Sequence, residues 1–263
     1  MRIVILPDAA SVSRRAADIF CHLIKELPDA VLGLATGGTP LGTYNDLVRR
    51  NRAGEISFAE ITTFNLDEYV GIPRGHEQSY YTFMHQNFFT HIDVDVSRCY
   101  LPDGEATDLA LECLRYEKLI DDAGGIDLQI LGIGSDGHIA FNEPGSSLAS
   151  RTRVKALTQQ TRLDNSRFFQ ALDDVPRVAI TMGVGTILEA DHILLLATGA
   201  SKAAAVRDFV EGPVSSMVPA SALQLHPQVT VVLDTGAASQ LARREYYEYV
   251  EQIQSELESK SGN

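Results

Sequence analysis

The sequence predicts an α/β fold, a doubly wound, mostly parallel sheet with helices on both faces, and three observations carry that expectation. Short apolar runs rich in valine, isoleucine and leucine recur at 2–6, 30–36, 61–71, 126–131, 178–182, 193–197 and 229–233. Stretches with apolar residues at helical spacing separate them, which is the alternation a parallel sheet between helical layers requires. Several runs deliver glycine, threonine or acidic residues at their C-terminal ends, where open α/β sheets bind ligands. No change of composition marks a linker, so 1–263 reads as one domain with Rossmann-like winding.

The elements follow in order. Residues 2–6 form an opening strand, and a helix follows over 11–27 behind a serine cap at Ser11. The buried strand 30–36 ends in Gly37-Gly38-Thr39-Pro40, with a helix from about 41. Thr39 suits an N-cap there, and Pro40 suits the first helical position, where its missing N–H costs nothing. The exposed N–H groups of that turn make an anion seat. The turn is no Walker loop, because no Gly-Lys-Ser/Thr follows. The β-branched run at 61–71 ends in Asp67-Glu68, and neighbours on a strand point opposite ways, so one of the two acids faces a cleft. Helices are predicted at 79–89 and 107–121.

The tetrapeptide Leu-Ala-Thr-Gly occurs twice, at 34–37 and 196–199, each time between a buried strand and a helix. The second copy adds Lys202 ahead of the helix 203–210. A lysine there opposes the helix dipole unless an anion sits nearby, which marks Lys202 as a phosphate contact. A last helix over 239–259 carries Tyr246, Val250, Ile253 and Leu257 on one stripe, spaced for packing on its own domain or for a subunit contact.

With 44% hydrophobic and 22% charged residues the 263-residue chain has the composition of a folded globular protein. Its formal charge of −13 disfavours nucleic acid and anionic membrane as partners. No run is long enough to span a bilayer or serve as a secretion signal, and a cytoplasmic location is expected. Cys21, Cys99 and Cys113 are far apart and odd in number, against a disulfide framework. Between 151 and 177 the charge reverses: Arg151, Arg153, Lys155, Arg162, Arg167 and Arg177 oppose Asp164, Asp173 and Asp174. That segment is either a solvated basic face or holds one or two anion sites at the cleft.

The densest chemistry lies at 131–144, where Asp136, His138 and Glu143 follow a strand on a glycine-rich loop. Gly132-x-Gly134-x-x-Gly137 matches the dinucleotide fingerprint in letters alone. Pro144 stops any helix within two turns, and Arg-Val-Lys-Ala-Leu occupies the region where the ribose-binding acid belongs. No cofactor is expected. A carboxylate base, an imidazole and a phosphate anchor suit a redox-neutral carbon-acid reaction. A divalent-metal site built from Asp136, His138, Glu143 and Asp67 is the competing local reading, although no His-x-x-x-His or paired-cysteine spacing supports it. No Gly-x-Ser-x-Gly elbow is present for a serine hydrolase.

These motifs resemble one family. Leu-Ala-Thr-Gly-Gly-Thr-Pro at 34–40, Phe-Asn-Leu-Asp-Glu-Tyr-Val-Gly at 64–71, Gly-Ser-Asp-Gly-His-Ile-Ala-Phe-Asn-Glu-Pro at 134–144 and Ser-Arg-Thr-Arg at 150–153 are similar to the glucosamine-6-phosphate deaminases. The resemblance extends through Asn-Ser-Arg-Phe-Phe at 165–169 and Leu-Gln-Leu-His-Pro at 223–227. It implies conversion of glucosamine 6-phosphate and water to fructose 6-phosphate and ammonia, without a metal. By that analogy His138, tuned by Asp136 and Glu143, opens the sugar ring and Asp67 removes the C2 proton. Gly37, Gly38, Thr39, Arg167 and Lys202 hold the phosphate. A lid is expected at about 158–187, and the resemblance further implies a homo-oligomer, hexameric in some members. In those members an N-acetylglucosamine 6-phosphate site uses residues matching Ser146, Arg153 and Lys155, although Ala156 departs from the regulated pattern. The alternatives are a 6-phosphogluconolactonase-like hydrolase and a non-catalytic sugar-phosphate sensor.

Overall fold

The computed structural model describes residues 1–166 and 169–261. Strands β1 (Arg2–Leu6), β2 (Val31–Leu34), β3 (Thr62–Asn65), β5 (Cys99–Tyr100), β6 (Leu128–Leu131), β9 (His192–Ala197) and β10 (Val229–Asp234) form a seven-stranded sheet in the order β1-β10-β9-β6-β2-β3-β5. Every pairing in it is parallel. Helices α1 (Ala9–Glu26), α2 (Leu41–Arg52), α3 (Tyr80–Asn87), α4 (Leu109–Asp122), α6 (Val184–Ile187) and α7 (Ala203–Val210) connect the strands. Strands β2 and β6 are buried along their whole length, which is why they read as unbroken apolar runs rather than alternating ones. From β2 the chain winds outward through β3 to β5, then returns to β6 and winds the other way through β9 to β10. The switch point therefore lies between β2 and β6, and a crevice opens there at the strands' C-terminal ends.

The run at 61–71 is two strands rather than one. After β3 the chain leaves the main sheet at Leu66 and enters β4 (Asp67–Tyr69), which pairs antiparallel with β8 (Val178–Thr181). Leu66 itself is bonded to both layers: its N–H donates to Leu34 O at 3.0 Å and its carbonyl accepts from Met182 N at 2.7 Å. The apolar run at 178–182 thus belongs to a second, three-stranded sheet with β4 and β7 (Arg153–Ala156), a correction to its expected place in the main sheet. Apolar content could not separate the two sheets, because β8 is buried in either. The basic stretch hides β7, whose alternating half-buried and exposed positions give it little apolar signal.

Helix starts also differ from expectation. The α1 cap is Asp8, whose carboxylate accepts from Ser11 N at 2.7 Å. Thr39 does not cap α2; Pro40 takes that place without a side-chain bond. Helix α8 runs from Arg244 to Ser261, starting later than 239 because Asp234 and Glu211 hold the preceding turns. Asp234 accepts from Ala237 N at 2.7 Å, and Glu211 accepts from Ala242 N and Arg243 N at 2.9 Å each. Arg2 ties α8 to β1 through Glu251 at 2.6 and 2.8 Å and Glu258 at 2.7 Å. The stripe of Tyr246, Val250, Ile253 and Leu257 is exposed.

Candidate active site

The crevice at the switch point is a cavity of about 180 Å³, and one lining brings together Gly37, Gly38, Thr39, Asp67, His138 and Lys202. They come from four places: Gly37, Gly38 and Thr39 from the turn after β2, Asp67 as the first residue of β4, His138 from the loop after β6 and Lys202 from the turn after β9.

The loop after β6 is folded around its histidine. Gly134 N donates to His138 O at 2.9 Å and Gly137 N to Gly134 O at 3.1 Å, with Gly137 at φ +84°. A side chain at 134 would collide with the His138 ring, so Gly134 is the floor on which the imidazole lies. Two of the three glycines that mimic a dinucleotide fingerprint thus serve ring placement and loop reversal, while a side chain at Gly132 would make only ordinary contact with Thr39. His138 Nδ1 lies 2.7 Å from Asp136 Oδ1 and 3.8 Å from Glu143 Oε2. Burial opposes ionisation of Asp136, but the His138 ring and backbone N–H outweigh it and hold the carboxyl below its ordinary range. The donor atoms of Asp136, His138 and Glu143 lie within 4.8 Å of one another, a set that could hold a hard divalent cation.

Asp67 is 6% exposed, and its carboxylate accepts no hydrogen bond among the described residues. Burial, reinforced by the charge of Glu68, raises its pKa well above the usual carboxylate value. Such a group is a stronger base than an exposed aspartate once ionised. Glu68 points away, as strand alternation requires, and accepts from the backbone N–H of Tyr69, Tyr80 and Tyr81 at 2.8, 2.9 and 2.9 Å. It anchors the first turn of α3, whose Tyr80 also lines the cavity.

The two Leu-Ala-Thr-Gly turns are not equivalent. Gly37 and Gly38 face the cavity, whereas Gly199 N is taken by Asp234 at 2.9 and 3.0 Å. The second turn brings its Lys202 side chain to the cavity. Arg167 lies outside the described residues.

Sequence reasoning picked out Glu143 but not the residues that hold it and the His138 loop. Glu143 is buried, and its Oε1 accepts from Thr161 Oγ1 at 2.6 Å, Thr158 N at 3.2 Å and Thr158 Oγ1 at 3.3 Å. Thr158 caps α5 (Gln159–Asn165), and Thr161 lines the cavity. Asn142 is fully buried and donates to Ile139 O at 3.0 Å and Met182 O at 2.8 Å, fastening the histidine loop to the second sheet. No local pattern distinguishes these threonines or this asparagine from surface polar residues. Of the remaining candidates, Arg153 donates to Asn142 Oδ1 at 2.8 Å, Lys155 shares its face of β7, and Ser146 is buried with an unpartnered hydroxyl among the described residues.

The chain has relatives among known proteins. The family model for glucosamine-6-phosphate isomerases/6-phosphogluconolactonase matches residues 7–232. A glucosamine-6-phosphate deaminase of Cellvibrio japonicus is 50% identical over 262 residues, covering 100% of both chains. One from Mycolicibacterium smegmatis is 54% identical over 248 residues, covering 94% of this chain and 95% of its own. A solved structure of a monomeric glucosamine-6-phosphate deaminase matches with a TM-score of 0.90 at 52% identity, covering 91% of this chain and 100% of its own. The 6-phosphogluconolactonase from Trypanosoma cruzi, at 22% identity and a TM-score of 0.75, covers 92% of this chain and 97% of its own and shares the fold. With matches running through nearly all of its length, the chain belongs to the glucosamine-6-phosphate isomerase/6-phosphogluconolactonase family.

Proposed function

We propose that the chain converts glucosamine 6-phosphate and water to fructose 6-phosphate and ammonia. The observation that carries this reading is the convergence of a buried carboxylate, a carboxylate-paired imidazole and a glycine-flanked anion seat on one cavity. The phosphate rests on the Gly37–Thr39 turn with Lys202, and with Arg167, supplying charge. His138 moves a proton between O1 and O5 to open the ring, its orientation supported by Asp136 and Glu143. Asp67 then takes the C2 proton from the open aldehyde form, giving an enolamine. Protonation at C1 leaves an imine at C2, and water attacks that carbon to release ammonia. The reading requires no metal, since each step as written uses only side chains of this chain and water.

The deciding experiment is ammonia release from glucosamine 6-phosphate, expected to be undiminished in EDTA. Hydrolysis of 6-phosphogluconolactone without ammonia would transfer the site to the lactonase branch, and ligand binding without turnover would make it a sensor. Within the deaminase reading, Lys202→Met removes a charge-assisted contact to the phosphate. It is expected to raise KM about tenfold to a hundredfold with a smaller change in kcat, the size of effect that one such contact contributes.

The reading extends to regulation and assembly. Arg153, Lys155 and Ser146 are the proposed site for N-acetylglucosamine 6-phosphate, and activation would make a sigmoidal substrate curve hyperbolic in the same assay. A homo-oligomer would cover the exposed α8 stripe, and sedimentation would detect it. A lid is proposed at about 158–187, a span that includes the buried β8 and α6. The compartment proposed is the cytoplasm, where the three unpaired thiols stay reduced.

A further inference from the structure

Glu143 is asymmetrically held. Its Oε1 accepts from the Thr161 hydroxyl and Thr158 N, with the Thr158 hydroxyl, whose one proton is shared with Thr161 Oγ1 at 3.1 Å, as a third contact, while Oε2 is buried and unpartnered among the described residues. That bare oxygen is the one facing His138 Nδ1, at 3.8 Å. A buried carboxylate oxygen without a donor costs free energy, and the donors crowded on its twin offset this by drawing charge away from it. The shortest of those donors is the Thr161 hydroxyl, at 2.6 Å. Thr161 is β-branched and stiff at χ1, so one residue both lines the substrate cavity and fixes the hydroxyl against Glu143.

We propose that Thr161 is a positioning residue whose hydroxyl divides the Glu143 carboxylate between helix α5 and the His138 ring, so that the α5 side of the cavity sets how strongly Glu143 acts on the imidazole. The role assigned to the imidazole rests on the deaminase reading above. Removing the hydroxyl returns charge to Oε2 and strengthens its hold on the protonated ring. The other charged groups facing His138 are Asp136 on its own loop and, across the cavity, Asp67 of β4 and Lys202 before α7. None of these changes in a Thr161 variant.

The test compares Thr161→Val, which keeps the shape, with Thr161→Ser, which keeps the hydroxyl. Thr161→Val is expected to lower kcat about tenfold at neutral pH, the coupling typical of residues in one hydrogen-bond network, with KM within about twofold. The deficit should shrink as pH rises, and the His138 ring, followed by nitrogen-15 NMR and identified with His138→Gln, should titrate at higher pH than in the parent. Thr161→Ser should behave as the parent in every readout. An unshifted ring titration in Thr161→Val, or equal damage in both variants, would overturn the proposal. The ring titration needs no substrate, so a protein that releases no ammonia would refute the deaminase reading in the assay while the NMR still decides the role of Thr161.

Discussion

Asp67→Asn is expected to lower ammonia release by about a hundredfold to ten-thousandfold while glucosamine 6-phosphate still binds, the range that a positioned general base contributes. Asparagine matches aspartate in shape, so the cavity, the Gly37–Thr39 turn and Lys202 stay in place. What is lost is the proton acceptor. In the parent the raised pKa of Asp67 also places the acid limb of kcat/KM above the ordinary carboxylate range: activity rises with pH as the buried carboxyl ionises. The same substitution has a stability signature of opposite sense. Because the folded pKa lies above the unfolded one, the native carboxyl keeps a proton that the unfolded chain has already lost. The parent's stability from this group is therefore full below the unfolded pKa and declines as pH rises through the folded value. Asp67→Asn removes that decline, so its Tm should exceed the parent's at neutral pH, with the difference vanishing in acid. Thermal melts at both pH values, beside the ammonia assay, check the two signs together. A variant retaining parental turnover would exclude Asp67 as the base.

Gly134→Ala should be nearly as damaging without touching a reacting group. The added methyl would occupy the space of the His138 ring, which must tilt away from Asp136 and the cavity. Misplacing a reacting group by about an ångström costs on the order of a hundredfold, and that is the loss in kcat expected here. The main sheet ends before this position, at Leu131, so the far-ultraviolet circular dichroism should be unchanged. A variant with parental kcat would show that the ring need not lie where it does.

The large features were legible because they rest on strong local physics. Buried parallel strands announce themselves as apolar runs, and the crevice between β2 and β6 follows from where those runs end. Asp67, His138 and the Gly37–Thr39 turn could be gathered in advance because each lies at or shortly after the C-terminal part of such a run. Two kinds of feature escaped. The second sheet was invisible since β4 continues the pattern of β3 with one residue between them, and β7 looks like a basic loop. The support behind the imidazole was invisible since Glu143 meets Thr158 and Thr161 across 15 and 18 residues of chain. The repeated Leu-Ala-Thr-Gly misled by half. Local sequence cannot reveal that Asp234, 35 positions later, takes up the N–H of Gly199.

The passage of the chain through Leu66 limits how this protein can move. A single residue bonded to both layers leaves no slack for one sheet to slide over the other, and the buried rings of Tyr69 and Phe141, 5.6 Å apart, pin the far side of the joint. Asp67, the next residue after that weld, is then a fixed anvil. With Asp67 in its proposed role, whatever adjustment brings the sugar's second carbon within reach has to be made by the substrate or by the opposite wall.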